Sequence, residues 1–166
     1  DLRLRLLRSL ILSMQGKYEE SDRVALAAAE EAKDRQLGGT QARALLAVAR
    51  TFIVRRDYGR ASPLLAAAAE SARVVQCQGC LGLAQYYRGY VAAEQSDCEE
   101  AEKFLVEAAE ALTAAGDRTH AFRTRMARCR CLRKSNRLDE AERGAAALVL
   151  ELLEAAPGLS CLVTTR

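Results

Sequence analysis

The sequence has no tryptophan, one histidine and two prolines among its 166 residues. Because proline interrupts helix interiors, its rarity leaves room for long uninterrupted helices. With a single histidine, a Ser/His/Asp or Cys/His catalytic set would need His120, which we place in an exposed loop. A Gly-rich phosphate loop is also missing, since the "LGG" at 37–39 is typical of a turn. The sequence therefore predicts a protein that is not an enzyme.

Long apolar runs are missing as well. No run approaches the ~20 residues of a membrane-spanning helix. The opening "DLRLRLLRSLILSM" carries three arginines among its leucines and lacks the layout of a secretory signal peptide. We therefore expect no membrane association. The chain begins at Asp1 rather than at methionine, so we expect a domain of a longer protein.

The charge is nearly balanced, with 25 basic and 22 acidic residues and a net charge of +3. A domain that binds nucleic acid over its whole surface normally has a larger excess of basic over acidic residues. Half of the residues are apolar, and alanine and leucine dominate them, which favours helix over sheet. The length is sufficient for one domain with a real core.

The cysteines do not form the pattern of a secreted disulfide framework, so we expect a reducing, intracellular (cytoplasmic) location. The "CQGC" at 77–80 has the spacing of half a zinc site or a redox pair, but a zinc site needs two more ligands nearby. On a helix, side chains two positions apart point about 200° from each other, so we do not expect Cys129 and Cys131 to bind one ion. We expect no metal and no cofactor. The six cysteines are Cys77, Cys80, Cys98, Cys129, Cys131 and Cys161.

A repeat with a period of about 40 residues runs through the chain. Four short polar stretches share a pattern, and their third residues (Tyr18, Tyr58, Cys98 and Leu138) recur at equal spacing. The pattern predicts four copies of one unit with no insertion between them, and we call the alignment of equivalent positions in these copies the repeat register. The four stretches are "GKYEES" (16–21), "RDYGRA" (56–61), "SDCEEA" (96–101) and "NRLDEA" (136–141).

Each copy is predicted to have the same order of elements: a helix, a short polar turn and a second helix. Acids follow the turn, as at Glu99 and Glu100, where the free N–H groups of a helix start favour negative charge. Small residues at Ala49, Gly89 and Cys129 let two helix backbones approach closely. One helix pair cannot bury its faces alone, so we expect the pairs to stack into one core.

These residues resemble the tetratricopeptide repeat (TPR), whose turn follows the pattern G-[DKR]-[YFL]-[DE]-[EK]-A. The alanines of the turn are matched by Ala61, Ala101 and Ala141, and the resemblance covers roughly residues 2 to 155. The unit is longer than the common TPR of about 34 residues. It is similar to units in kinesin light chain, in Pins/LGN-type adaptors and in the sensor arms of bacterial transcription activators. The resemblance implies an all-α, right-handed superhelical solenoid of antiparallel helix pairs.

We expect a single TPR-like domain over 1–166. Whether its tail caps the stack or begins another repeat stays open. An uncapped solenoid end is adhesive, so a homodimer formed through that end is one expectation. The predicted repeats are 2–37, 42–77, 82–117 and 122–156, followed by a tail at 157–166.

In TPR stacks the first helix of each pair lines a concave groove, in which extended peptides or partner helices lie. Here that helix offers arginines, which bind carboxylates with paired hydrogen bonds, and tyrosines from "QYYRGY", which add apolar area. The resemblance thus implies a groove for an acidic, partly apolar partner. The predicted groove residues are Arg43, Arg50, Tyr86, Tyr87, Tyr90, Arg123, Arg130 and Arg133.

The segment "AFRTRMARCRCLRKSNR" (121–137) holds seven basic residues and no acid. Taken alone it predicts a nucleic-acid-binding arm, whose affinity would fall steeply with salt. Its apolar residues Phe122, Met126, Cys129 and Leu132 are spaced like a buried helical stripe, which favours a helix within the stack. A nucleic-acid partner is therefore the weaker alternative.

The sequence as a whole predicts a protein-interaction module or adaptor with a protein or peptide partner. A second hypothesis is the sensor arm of a multidomain transcription regulator, which would take up a small effector or control a separate DNA-binding domain.

Overall fold

The computed structural model describes residues 1–155, and within them every regular element is an α-helix. The all-α prediction is confirmed. We call the odd-numbered helices A helices and the even-numbered ones B helices. The eight helices are α1 (Leu2–Met14), α2 (Tyr18–Asp34), α3 (Gly38–Val54), α4 (Tyr58–Val74), α5 (Gln78–Glu94), α6 (Cys98–Ala114), α7 (Arg118–Lys134) and α8 (Leu138–Ala155).

The same three-residue turn links every pair of successive helices. The middle residue of each turn lies in the left-handed region, with φ between 52° and 76°. The next residue then donates its N–H to the carbonyl five residues back at 2.8–2.9 Å, which is the bond of a Schellman motif. These middle residues are Gly16, Gln36, Arg56, Gln76, Ser96, Gly116 and Asn136.

The identical turns space the helix starts evenly, at half the repeat period, from Tyr18 to Leu138. Each A helix after α1 begins four residues before the repeat predicted from the sequence, at Gly38, Gln78 and Arg118. The loops expected at "LGG" and around His120 are therefore wrong, because a turn of three residues leaves these positions free to start a helix. His120 lies in the first turn of α7, and its backbone N–H donates to Asp117 Oδ1 at 3.0 Å.

The helices pack as a solenoid of antiparallel pairs, as predicted. Each helix contacts the next one along the chain, and each A helix also contacts the following A helix. No B helix contacts another B helix within residues 1–155. The A helices therefore form the inner, concave row of the stack and the B helices form the outer row.

Small residues make the A helices fit closely against their B helices. A Cβ added at Gly89 would lie 2.7 Å from Leu105 Cγ and 3.1 Å from the carbonyl oxygen of Ala101. In the first pair, Ser9 and Ser21 share a buried hydrogen bond of 3.0 Å at the equivalent crossing. The tail predicted at 157–166, and any cap it forms, lies outside the described residues.

Candidate functional site

An open cleft of about 500 Å³ lies on the concave side, between α1, α3 and α5. Apolar side chains form most of its lining, and three arginines and one histidine complete it. The predicted groove residues Arg43, Arg50 and Tyr87 are among those that line it. The lining consists of Arg3, Leu6, Leu7, Leu10, Arg43, Leu46, Ala47, Arg50, Leu83, Tyr87 and His120.

The repeat register extends this surface toward α7. Arg3 and Arg43 line the cleft and occupy the same repeat position as Arg123. Arg50 occupies the same position as Tyr90 and Arg130. Because equivalent residues of stacked A helices face the same side, Arg123 and Arg130 continue the concave surface beyond the cleft. Arg123, Arg130 and Arg133 are all exposed, and none of them lines the cleft itself.

Charge is divided between the two rows of helices. The A helices carry 13 arginines and lysines, and Glu94 is their one acid among the described residues. The B helices carry six basic and 17 acidic residues. The concave row is therefore cationic, although the net charge of the whole chain is only +3.

The arginines of α7 differ in their partners. Arg125 pairs with Glu151 at 2.8 Å, and Arg128 pairs with Glu102 at 2.9 Å. Both pairs join α7 to a neighbouring B helix. By contrast, none of the predicted groove arginines forms an ion pair within residues 1–155. Their guanidinium groups are thus not neutralised by any carboxylate within residues 1–155.

The three predicted tyrosines point into different surroundings. Tyr87 lines the cleft, and burial raises the pKa of its hydroxyl while the nearby Arg50 and Arg123 oppose that shift. The Tyr86 ring lies 5.2 Å from the Tyr87 ring and packs against core residues of α6 and α7. Tyr90 remains 38% exposed. Only Tyr87 therefore offers its ring to the cleft.

The groove-lining helix positions implied by the TPR resemblance also include five other residues of the cleft, Arg3, Leu6, Leu7, Leu10 and Leu46. Three lining residues were missed, Ala47, Leu83 and His120. The repeat register could have supplied two of them, because Ala47 occupies the same repeat position as Tyr87, and Leu83 the same position as Arg43. His120 was missed because its segment was assigned to a loop. Its Nδ1 lies 2.8 Å from Asp117 Oδ2, so the carboxylate that caps α7 also orients this ring.

The "CQGC" segment lies at the start of α5, with Cys77 as its N-cap and Cys80 buried in the first turn. Burial raises the pKa of the Cys80 thiol to about 11, and the neighbouring Cys77 contributes to this shift to a smaller extent. This thiol is therefore protonated and unreactive at neutral pH. In the described part of the chain, no three His, Cys, Asp or Glu side chains are arranged to hold a metal ion. None of the eight helices is long and apolar enough to cross a bilayer.

No family model matches the chain, and no curated protein matches its sequence. Solved structures do resemble it. RapI in its apo form has a TM-score of 0.85 at 13% identity, over 95% of this chain and 57% of RapI. BtubC (BKLC) from P. vanneervenii has a TM-score of 0.71 at 14% identity, over 89% of this chain and 64% of BtubC.

A third solved structure is a P. anserina protein described as a putative kinesin light chain with nearly identical TPR-like repeats. Its TM-score is 0.56 at 10% identity, over 93% of this chain and 96% of that protein. The chain spans less than two thirds of RapI and of BtubC. These likenesses show the fold, a TPR-like helical repeat solenoid, and confirm the resemblance seen in the turns.

Proposed function

We propose that the protein is an interaction module that binds an acidic, partly apolar peptide or helix of a protein partner in its concave groove. The observation that carries the proposal is the set of arginines around an apolar cleft that form no ion pair within residues 1–155. Elsewhere the chain pairs its arginines readily, as at Arg128 and Glu102. The groove thus combines unsatisfied cations with apolar surface.

The lining fits an amphipathic ligand. Leu6, Leu7 and Leu46 offer apolar contact within the cleft, and the Tyr87 ring adds area from α5. Arg43 and Arg50 are two helical turns apart on one face of α3, so they can grip two carboxylates spaced along a ligand. A ligand with acids on one side and leucine-like residues on the other satisfies both sets.

Fluorescence anisotropy with a labelled peptide tests this proposal. The probe is an amphipathic peptide of glutamate and leucine of about 15 residues, roughly a four-turn helix. The comparison probe has lysine in place of every glutamate. We expect the acidic probe to bind and the basic probe not to bind. Because each lost charge-assisted contact costs about tenfold, the double variant Arg43→Gln, Arg50→Gln should weaken binding by about 100-fold.

The matched control is Arg23→Gln, Arg143→Gln, which removes the same charge from equivalent exposed positions of α2 and α8. It should bind the acidic probe within about twofold of the unmodified chain, because long-range charge effects are screened in salt. Equal weakening by both double variants would show that net charge alone attracts the peptide, and the groove proposal would then be wrong.

A further inference from the structure

Two cysteine side chains lie side by side at the start of α5. Cys77 is the N-cap of this helix, and Cys80 follows in its first turn. Cys77 packs against the small cluster that Cys80 forms with Ala42 and Ala72. Both thiols are free. One turn of helix therefore brings together two sulfur atoms that can be oxidised.

The next repeat shows how closely side chains approach each other at these two positions. In the repeat register, Asp117 is the equivalent of Cys77, and His120 is the equivalent of Cys80. The Asp117 and His120 side chains are in contact, with Oδ2 2.8 Å from Nδ1. The backbone angles of the two N-caps nearly coincide, at φ −80° and ψ 87° for Cys77 and φ −83° and ψ 77° for Asp117. The same backbone therefore directs the Cys77 side chain toward Cys80, as a disulfide requires.

The two cysteines differ in their access to solvent. Cys77 is partly exposed, whereas Cys80 is only 4% exposed. Burial raises the pKa of the Cys80 thiol, and Cys77 lies close enough to add to this shift. A dissolved oxidant therefore reaches Cys77, while Cys80 by itself is unreactive toward it. Cys80 is nevertheless held beside any oxidised form of Cys77, so a reaction between the two sulfurs needs no encounter in solution.

We propose that Cys77 and Cys80 form a redox-active dithiol, which hydrogen peroxide oxidises to a disulfide. The Cys77 sulfur attacks one peroxide oxygen, the O–O bond breaks, and the released hydroxide leaves as water with the thiol proton of Cys77, which becomes a sulfenic acid. The Cys80 sulfur then attacks the Cys77 sulfur, the S–O bond breaks, and the hydroxyl group leaves with the Cys80 proton as a second water. The two thiols thus supply the two electrons that reduce the peroxide. Two molecules of glutathione reverse the change by thiol–disulfide exchange and become glutathione disulfide.

Mass spectrometry of the folded 166-residue chain, treated with an equimolar amount of hydrogen peroxide, tests the proposal. The remaining thiols are blocked with iodoacetamide in urea, and the chain is digested with trypsin. The digest releases Cys77 and Cys80 together in the segment 74–88 and places every other cysteine in a different segment. We expect the segment 74–88 to lose two hydrogens and to carry no blocking group. Reduced glutathione, added before the blocking step, should restore both blockable thiols.

Two matched variants test the separate roles of the two cysteines. In Cys80→Ser the sulfenic acid of Cys77 has no partner, so dimedone should trap it in the segment 74–88. In Cys77→Ser only the buried Cys80 remains there, and the segment should take up about tenfold less dimedone. Circular dichroism checks that both variants fold, and the digest of the unmodified chain decides alone if either does not. Two blocking groups on segment 74–88 after peroxide treatment, or equal dimedone labelling of the two folded variants, would overturn the proposal.

Discussion

Two pairs of arginines on α7 differ in their ion pairing and in their surroundings. Arg125 and Arg128 pair with glutamates of the neighbouring B helices, at the seam between the two rows, whereas Arg123 and Arg130 are exposed, occupy predicted groove positions and form no ion pair in the described residues. All four lie within two turns of one helix. Position in the repeat register, rather than the basic character of the segment, therefore decides whether an arginine of α7 joins two helices or forms no ion pair within residues 1–155.

The two surfaces also differ in what the fold gains from them. At the seam, close packing and ion pairs join successive helices, so a change there should lower stability. At the groove, the predicted arginines are exposed and form no ion pair within residues 1–155, so we expect them to add little or nothing to the stability of the free chain. Seam and groove substitutions should thus separate into losses of stability and losses of binding.

The largest expected effect is that of Gly89→Val at the seam. The added side chain would collide with Leu105 and with the backbone of α6, since even a Cβ lies only 2.7 Å from Leu105 Cγ. Overpacking of this kind costs about 3 kcal/mol of unfolding free energy. Urea unfolding followed by circular dichroism measures the loss.

Two substitutions serve as references for this measurement. Gly79→Ala places its Cβ at 3.7 Å from the Ala115 Cβ, an ordinary contact, and should not destabilise the chain. The groove variant Arg43→Gln should keep the unfolding free energy within about 0.5 kcal/mol, as surface substitutions generally do. If Arg43→Gln destabilises as much as Gly89→Val, the distinction between seam and groove fails.

Asp117 has both a structural contact and a contact with the cleft. Its carboxylate caps α7, and it also lies beside the ring of the cleft residue His120. Asp117→Ala should cost about 1 kcal/mol at neutral pH, the usual value of a lost N-cap. The hydrogen bond from the His120 backbone, and then that from its ring, lowers the pKa of the Asp117 carboxyl. Because the folded pKa lies below the unfolded value of about 3.9, this stabilisation is present above that pH and is lost as pH falls through the folded pKa.

Urea unfolding of the unmodified chain and of Asp117→Asn, between about pH 6 and about pH 2, measures this dependence. Asparagine keeps a capping oxygen but cannot ionise. We expect the difference in unfolding free energy between the two chains to shrink toward the acidic end. A difference that is constant with pH would show that the charge of Asp117 contributes nothing.

The smallest expected effect is that of Glu102→Gln, which weakens the ion pairs that join α6 to α7. We expect Tm to fall by about 3 °C in low salt and by less in high salt, because salt screens partly exposed charges. Glu110→Gln on the same helix is the matched control, since Glu110 is exposed and forms no ion pair within residues 1–155. Differential scanning calorimetry should show no loss for the control, and equal losses would contradict the role given to Glu102.

Much of the fold could be predicted because the residues that recur in each repeat are those that pack between helices or form the turns. Ala61, Ala101 and Ala141 recur at one position and are buried at the crossing of each pair. The starts of the A helices could not be predicted in the same way. The usual sequence signal for such a turn is glycine, yet Gln36 and Gln76 adopt the left-handed conformation before α3 and α5.

The groove could be predicted only as a set of helix positions. Arg43, Arg50 and Tyr87 line the cleft, but the neighbouring Tyr86 packs into the core between α5, α6 and α7. Two aromatic residues in succession contain no signal that says which ring reaches a neighbouring helix. The binding roles of all eight predicted residues stay a prediction, which the peptide measurements address.

Because the helix starts are evenly spaced, the shortest segment that this solenoid can lose without exchanging its two rows is a pair of helices. Loss of residues 57–96 would join two equivalent turns and leave every later helix in its own row. Loss of a single helix with its turn, such as 37–56, would move every later helix into the opposite row. The acidic α6 and α8 would then lie in the inner row beside α1 and α4, so a deletion half as long would replace the basic α5 and α7 there with acidic helices.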